Sequence, residues 1–193
     1  MTDTIKELEK LHKNALSCSK CTLCKERTKV VFYDGNCTAP ILFIGEAPGK
    51  NEDEIGIPFI GRAGQLLRKF LYDIGYTKDD FYIANTVKCR PPKNRKPTLE
   101  EKKACRHYLD KQIELVNPKI IVLVGSTALE SFINDKKLTI TKARGKVFEV
   151  DKRKYFPIFH PSYLLRYHSL EPGKPRYLFK EDLIQIKKLA QKY

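Results

Sequence analysis

Ile41-Leu42-Phe43-Ile44-Gly45-Glu46-Ala47-Pro48-Gly49-Lys50-Asn51-Glu52-Asp53-Glu54-Ile55-Gly56-Ile57-Pro58-Phe59-Ile60-Gly61-Arg62-Ala63-Gly64-Gln65 begins as an apolar run of strand length. It continues through small residues and carboxylates to an aromatic between Pro58 and Ile60, then a second glycine cluster. Leu66, Leu67, Phe70 and Leu71 follow at helical spacing, so the segment reads as strand, loop, helix. Gly45, Gly49, Gly61 and Gly64 remove side chains where a ligand or another backbone can approach, and the helix start leaves free amides for an anion. An ordinary βα connection of a parallel sheet uses glycines in the same way; the aromatic and acidic residues are what point towards a pocket.

Strands and helices alternate on either side of this segment. Upstream, Ile5, Leu8, Leu11, Ala15 and Leu16 share one face of an amphipathic helix, which ends at Cys18, Cys21 and Cys24. Val30-Val31-Phe32 and the turn Asp34-Gly35 then lead to a core strand from Pro40 to Gly45. Downstream, a helix through Tyr72 precedes a strand from Phe81 to Val87. The run Lys88 to Pro97 holds three prolines, which exclude helix and regular strand, and Thr98-Leu99-Glu100-Glu101 opens a helix carrying Cys105 and Leu109 towards Val116. Asn117-Pro118 stops it; Lys119 to Val124 reads as a strand buried on both faces, and Gly125-Ser126-Thr127 starts another helix. A fourth strand, Tyr155 to Phe159, runs into His160-Pro161-Ser162-Tyr163-Leu164-Leu165-Arg166, and a helix from about Arg176 to Ala190 closes the chain. Four apolar strands alternating with helices imply a parallel sheet covered on both sides, with any ligand outside the carboxyl ends of the strands. Glu46, Asn85, Ser126 and His160 all fall there.

The 193 residues suffice for one domain, and no Gly/Ser-rich or Pro-rich linker divides them, so residues 1–193 are expected to form a single unit. No window of about 18 apolar residues occurs and the N-terminus lacks an apolar signal core, which points to a cytoplasmic protein. Thirty-seven Lys and Arg against 23 Asp and Glu give a net charge of +14, suited to polyanions or to an anionic membrane face. The basic runs Lys88 to Lys96 and Lys142 to Lys154 flank strand ends, although a charge run also serves as a solvated surface.

Six cysteines in such a chain argue for metal or redox chemistry rather than disulfides. Cys18-x2-Cys21 is a ligand pair, and Cys24, Cys37, Cys89 and Cys105 are its candidate partners. A ferredoxin run would need a cysteine where Thr28 stands, a zinc ribbon would need a second C-x2-C, and spacing alone does not separate zinc from iron and sulfur. His160 can donate to a developing oxyanion or serve structurally; Asn85 can read a nucleobase edge or cap a turn. Phe59 can stack on a flipped base or pack in the core, and Glu52-Asp53-Glu54 can be a solvated loop.

Gly45-Glu46-Ala47-Pro48-Gly49, Pro58-Phe59-Ile60-Gly61-Arg62-Ala63-Gly64-Gln65, Asn85-Thr86-Val87-Lys88-Cys89-Arg90-Pro91-Pro92 and His160-Pro161-Ser162 together resemble the type-4 uracil-DNA glycosylases, in order and over nearly the whole chain. The resemblance implies a three-layer α/β/α domain with a central four-stranded, mainly parallel sheet. It also implies a [4Fe-4S] cluster on Cys18, Cys21, Cys89 and Cys105, and excision of uracil from DNA as the first step of base excision repair. On this basis Gly45, Glu46, Ala47 and Asn85 read uracil, Phe59 stacks on it and His160 hydrogen-bonds its O2. Glu46 or Glu52 aids the sugar cation or positions the water. Ser162 contacts phosphate, and Leu164, Leu165 or Arg166 fills the gap left in the duplex. The expected partner is uracil-containing DNA, single- or double-stranded, met by a monomer; nothing in the sequence is read as a contact for a sliding clamp. Alternatives are a glycosylase for another lesion, an iron-sulfur electron carrier, and an iron-sulfur or zinc nucleic-acid-binding module without catalysis.

Overall fold

The computed structural model describes residues 3–193, with elements in the order α1 (Asp3–Leu16), β1 (Asp34–Gly35), β2 (Ile41–Gly45), α2 (Lys50–Ile55), α3 (Arg62–Asp73), β3 (Phe81–Asn85), α4 (Leu99–Val116), β4 (Ile120–Val124), α5 (Ser126–Phe132), α6 (Ile140–Ala143), β5 (Phe148–Val150), β6 (Arg153–Ile158), α7 (Pro161–Leu164) and α8 (Pro175–Lys192). Short 3-10 turns at Thr22–Lys25 and Pro92–Asn94 punctuate the two cysteine-bearing segments.

β2, β3 and β4 are buried along their whole length because their two faces alternate residue by residue between separate cores. Ile41, Phe43, Phe81, Ile83, Ile120 and Val122 face one core, filled by Leu67, Phe70 and Leu71 of α3 and by Phe179, Leu183 and Ile186 of α8. Leu42, Ile44, Tyr82, Ala84, Ile121 and Leu123 face the other, filled by Leu8 of α1, Leu109, Ile113 and Val116 of α4, and Ala128 and Leu129 of α5. Helix, sheet and helix therefore make three layers.

The sheet order is β1-β3-β2-β4-β6-β5. β3, β2, β4 and β6 are parallel, as the sequence implies. The expected four strands become six, since β1 and β5 add short antiparallel edges on β3 and β6. β1 is only two residues long, and β5 pairs with β6 through a tight hairpin in which Asp151 and Lys152 take left-handed φ of 50° and 62°. Both lie below the length at which alternation is readable, and the hairpin falls inside a basic run. A second departure is α2: the acidic residues expected as a loop form a helix, with Asp53 buried and its carboxylate accepting the Thr28 N–H at 3.0 Å.

Register fixes what meets at the carboxyl ends. Gly45 of β2 stands opposite Asn85 of β3. Across β4 and β6, Val124 stands opposite Ile158, and the Gly125 N–H donates to the Ile158 carbonyl at 3.0 Å. The residues following β2, β3, β4 and β6 are thus brought to one rim.

Candidate active site

A cleft of about 360 Å³ opens at this rim, with Ala47, Glu52, Phe59, Asn85 and His160 in its wall. Beside it lies a second hollow of about 280 Å³, bounded by Glu46, Thr127 and His160 among others, and His160 and Ser162 border both. The residues singled out from the sequence therefore converge.

Asn85 is 2% exposed, and its Oδ1 has no hydrogen-bond partner. A buried acceptor in that state costs about 1–3 kcal/mol, so it marks a place where a donor belongs. Gly45 is what leaves room for it: a Cβ there would run into Asn85 Oδ1 and lie 2.5 Å from the Phe59 ring. Phe59 carries a left-handed φ of 55°, uncommon for an aromatic residue, and is 6% exposed. Arg68 of α3 holds it in place, with Nε donating to the Phe59 carbonyl and Nη2 to the Pro58 carbonyl, both at 3.0 Å, while Nη2 also pairs with Asp34 at 2.6 Å. Gly64 permits the approach, because any side chain there would collide with the Phe59 backbone. The result is a flat apolar wall facing an amide across a glycine.

His160 follows β6 and caps α7. The Ser162 backbone N–H donates to its Nδ1 at 3.2 Å, and the Ser162 hydroxyl lies 2.7 Å from the same nitrogen. A nitrogen that accepts from an amide carries no proton of its own, so the neutral ring holds its proton on Nε2. Burial pushes the imidazole pKa below its ordinary value, with Glu46 pulling the other way. A neutral donor is thereby favoured. Gly125, at φ 89°, passes directly beneath the ring, where a Cβ would stand 2.9 Å from that of His160.

The two candidate carboxylates differ sharply. Glu52 is engaged with backbone: Oε1 accepts the Ile60 N–H at 3.0 Å and the Gly61 N–H at 2.7 Å, and Oε2 accepts the Gly49 N–H at 3.1 Å. It ties the Gly49 turn to the Phe59 loop. Glu46 instead accepts one hydrogen bond, from the Thr127 hydroxyl, and borders the second hollow with His160. Thr127 was not singled out from the sequence; a threonine in the first turn of a helix carries no signal of its own. Ser126 borders the same hollow.

Of the segment expected to enter a duplex, Ser162, Tyr163 and Arg166 are exposed and Leu165 is partly buried. Leu164 is a correction: it is fully buried in the core with Phe59, and α7 turns it inward where an extended loop was expected. Tyr163 and Tyr167, 40% and 39% exposed with ring centroids 4.8 Å apart, were not foreseen at this surface.

Away from the cleft, Cys18, Cys21, Cys24, Cys89 and Cys105 surround a small space of about 20 Å³ together with Arg27, Lys88 and Tyr108. Cys37 lies elsewhere, packed on the α4 side of the sheet near Tyr33. Among the described residues no three His, Cys, Asp or Glu are grouped to hold a single metal ion. A cubane cluster makes no such demand, because each of its four irons takes one thiolate and the ligand sulfurs stand apart. Burial pushes the Cys89 thiol up to about 11 against the Arg27 guanidinium, whose Nη1 donates to its sulfur at 3.3 Å. Burial likewise pushes up the thiols of Cys21 and Cys105, so these sulfurs need a cation to be ionised. The loop leaving Cys89 also reaches the cleft, since Pro91, Asn94 and Arg95 border the Glu46 hollow.

A three-layer domain with a mainly parallel sheet and a cleft at its carboxyl rim places the chain among open α/β proteins, and residues 32–184 match the family described as the uracil DNA glycosylase superfamily, to which the chain belongs. Its relatives narrow this to the type-4 group. The chain is 46% identical over 186 residues to the type-4 uracil-DNA glycosylase of Thermotoga maritima, covering 96% of this chain and 95% of the relative. It is 41% identical over 191 residues to that of Sulfurisphaera tokodaii, covering 95% and 84%. With the Archaeoglobus fulgidus protein of the same name it shares 43% over 168 residues, covering 83% and 84%. No helix among the described residues is long and apolar enough to cross a membrane.

Proposed function

We propose that this protein is a monofunctional uracil-DNA glycosylase, which hydrolyses the bond between deoxyribose C1′ and uracil N1 and leaves an abasic site for base excision repair. The observation that carries the reading is the unpartnered Oδ1 of Asn85 in a cleft of base size. Uracil offers an N3–H donor beside its O4 acceptor, and the Asn85 amide matches both. Cytosine has no N3–H. With the amide held as it suits uracil, the N3 acceptor and N4 amino group of cytosine would face like groups and leave the buried oxygen orphaned, a penalty of about 1–3 kcal/mol. Phe59 stacks on the extruded ring, and the backbone of Gly45 to Ala47 lines its edge.

His160 donates from Nε2 to uracil O2, where negative charge gathers as the C1′–N1 bond breaks and its electron pair leaves with the base. A preorganised donor of this kind is worth about 2.7–4 kcal/mol. Water adds its oxygen to the cationic C1′ and gives its proton to Glu46, which borders the hollow shared with His160. Glu52 is a positioning residue, since its oxygens are committed to three amides. Ser162, Leu165 and Arg166 meet the DNA, with Tyr163 beside them.

Cys18, Cys21, Cys89 and Cys105 are proposed to hold a [4Fe-4S] cluster, with Cys24 bordering the same space. The five thiols of the lining, with Lys20, Arg27 and Lys88 beside them, suit an anionic iron-sulfur centre. When bound, the cluster cross-links the N-terminal segment to the Cys89–Cys105 loop. We take residues 1–193 to act as one domain, as a monomer in the cytoplasm. The test is incubation of the native holoprotein with duplexes bearing one uracil, cytosine, thymine or hypoxanthine, followed by alkali. Strand scission at uracil alone is expected; scission at another base with uracil spared, or binding without scission, would overturn the reading.

A further inference from the structure

Lys88 is the one lysine of the buried polar set, 2% exposed, and no carboxylate of the described residues forms an ion pair with it. An ammonium taken out of water is costly unless an opposite charge and hydrogen bonds compensate it. The compensation visible around Lys88 comes from two directions. Its Nζ donates to the backbone carbonyl of Asn85 at 2.9 Å and lies 5.6 Å from the centre of the Phe32 ring. It lines the same space as Cys89 and Cys105, and its backbone hydrogen-bonds Cys105. The backbone carbonyl of Lys88 in turn accepts the Val31 N–H at 2.8 Å, which fixes the residue between the cysteine space and the end of β3.

We propose that Lys88 is a positioning residue with two attachments: it is the buried counter-charge of the cysteine-held metal centre, and it holds the backbone of Asn85, the residue that reads the base. This rests on the cluster and the uracil cleft assigned above. Loss of the anionic centre would leave the ammonium uncompensated and strain its hold on Asn85. Loss of the ammonium would leave the centre more negative and free the end of β3. The metal centre and the base pocket, which share no side chain, are thereby coupled through four residues of one segment, Asn85 to Lys88 being separated only by Thr86 and Val87.

The experiment compares native, Lys88→Met and Lys88→Arg holoproteins purified without oxygen, reading iron per chain, the reduction potential of the centre by voltammetry, and single-turnover uracil release. Lys88→Met, close in volume but uncharged, is expected to shift the potential to more negative values, to lose iron faster in air, and to slow uracil release about tenfold. Lys88→Arg is expected to restore the potential and iron retention. Where Lys88→Met does not accumulate in folded form, Lys88→Gln takes its place with the same expectations. A neutral variant with native potential and native uracil release would overturn the proposal, as would a change in one without the other. A native protein without iron would remove the cofactor reading and this inference with it, whereas iron present and a potential unmoved by the neutral variant would remove this inference alone.

Discussion

Asn85 holds a buried acceptor without a donor, an arrangement that weakens the free protein and that an entering uracil is expected to relieve. Asn85→Leu, similar in volume and without polar atoms, is therefore expected to melt no lower than the native chain by calorimetry while releasing uracil at least about a hundredfold more slowly. Gly45 makes the complementary point, because a single methyl there meets both Asn85 and the Phe59 ring. Gly45→Ala is expected to fold yet lose uracil release on the same duplex. The imidazole of His160 sits below its ordinary pKa because burial outweighs the pull of Glu46. Its neutral form, the Nε2 donor, consequently persists to lower pH than a free histidine allows, and single-turnover rates should decline only below about pH 6.5, the ordinary histidine value. At this level the sequence was informative about residue type and place, since Asn85, Phe59 and His160 all reach the cleft. It was silent on partners: the same letters allow Glu46 or Glu52 to serve the water, and only hydrogen bonding separates them.

Among the elements, the helix α2 shows why an acidic run in a basic chain need not be a solvated surface. Glu52 gathers the amides of Gly49, Ile60 and Gly61, and Asp53 binds Thr28. Glu52→Gln keeps the shape but presents an NH2 group to an amide N–H, so a loss of about 1–3 kcal/mol in stability is expected, together with weaker uracil binding as the Phe59 loop loosens. At the start of α4, Glu101 performs a similar service for the cysteine loop: it takes Arg95 at 2.7 and 2.8 Å, the Thr98 N–H at 2.8 Å, and Thr22 at 3.3 Å. The Arg95 guanidinium, outweighing the effect of burial, holds its carboxyl down at about 2. A carboxylate with a depressed pKa stabilises the fold above its ordinary value of about 4.3 and loses that contribution as pH falls towards 2. Glu101→Gln should accordingly lower the melting temperature at pH 7, with the difference from native shrinking below pH 4 in a series of melts. The capping box at Thr98 and Glu101 was legible in the sequence; the bond to Arg95, six residues upstream, was not, because a proline-rich loop has no periodicity from which to read its path.

Over the whole molecule, the alternation of strands and helices was enough to identify the four parallel strands and to point to their carboxyl ends, where the cleft lies, but not to give their order in the sheet. Strands of two and three residues were not legible, nor was the inward turn of Leu164, because each depends on tertiary contact rather than on local pattern. The five cysteines that share one space come from segments 65 to 87 residues apart, and spacing identifies only the first pair. The proposed cluster would cross-link such distant segments, so chelation of iron from the holoprotein is expected to lower thermal stability and DNA affinity together; a cluster-free chain with native melting and binding would contradict this. The net charge of +14 implies that DNA affinity falls log-linearly with salt. In the proposed reaction, Asn85 would read the base and a neutral His160 would absorb the charge that base carries away. Single-turnover uracil release by His160→Ala, compared with native protein on the same duplex, tests that most directly. The expected result is a loss of about 10²–10³-fold with the fold and iron content intact; release at the native rate would contradict it.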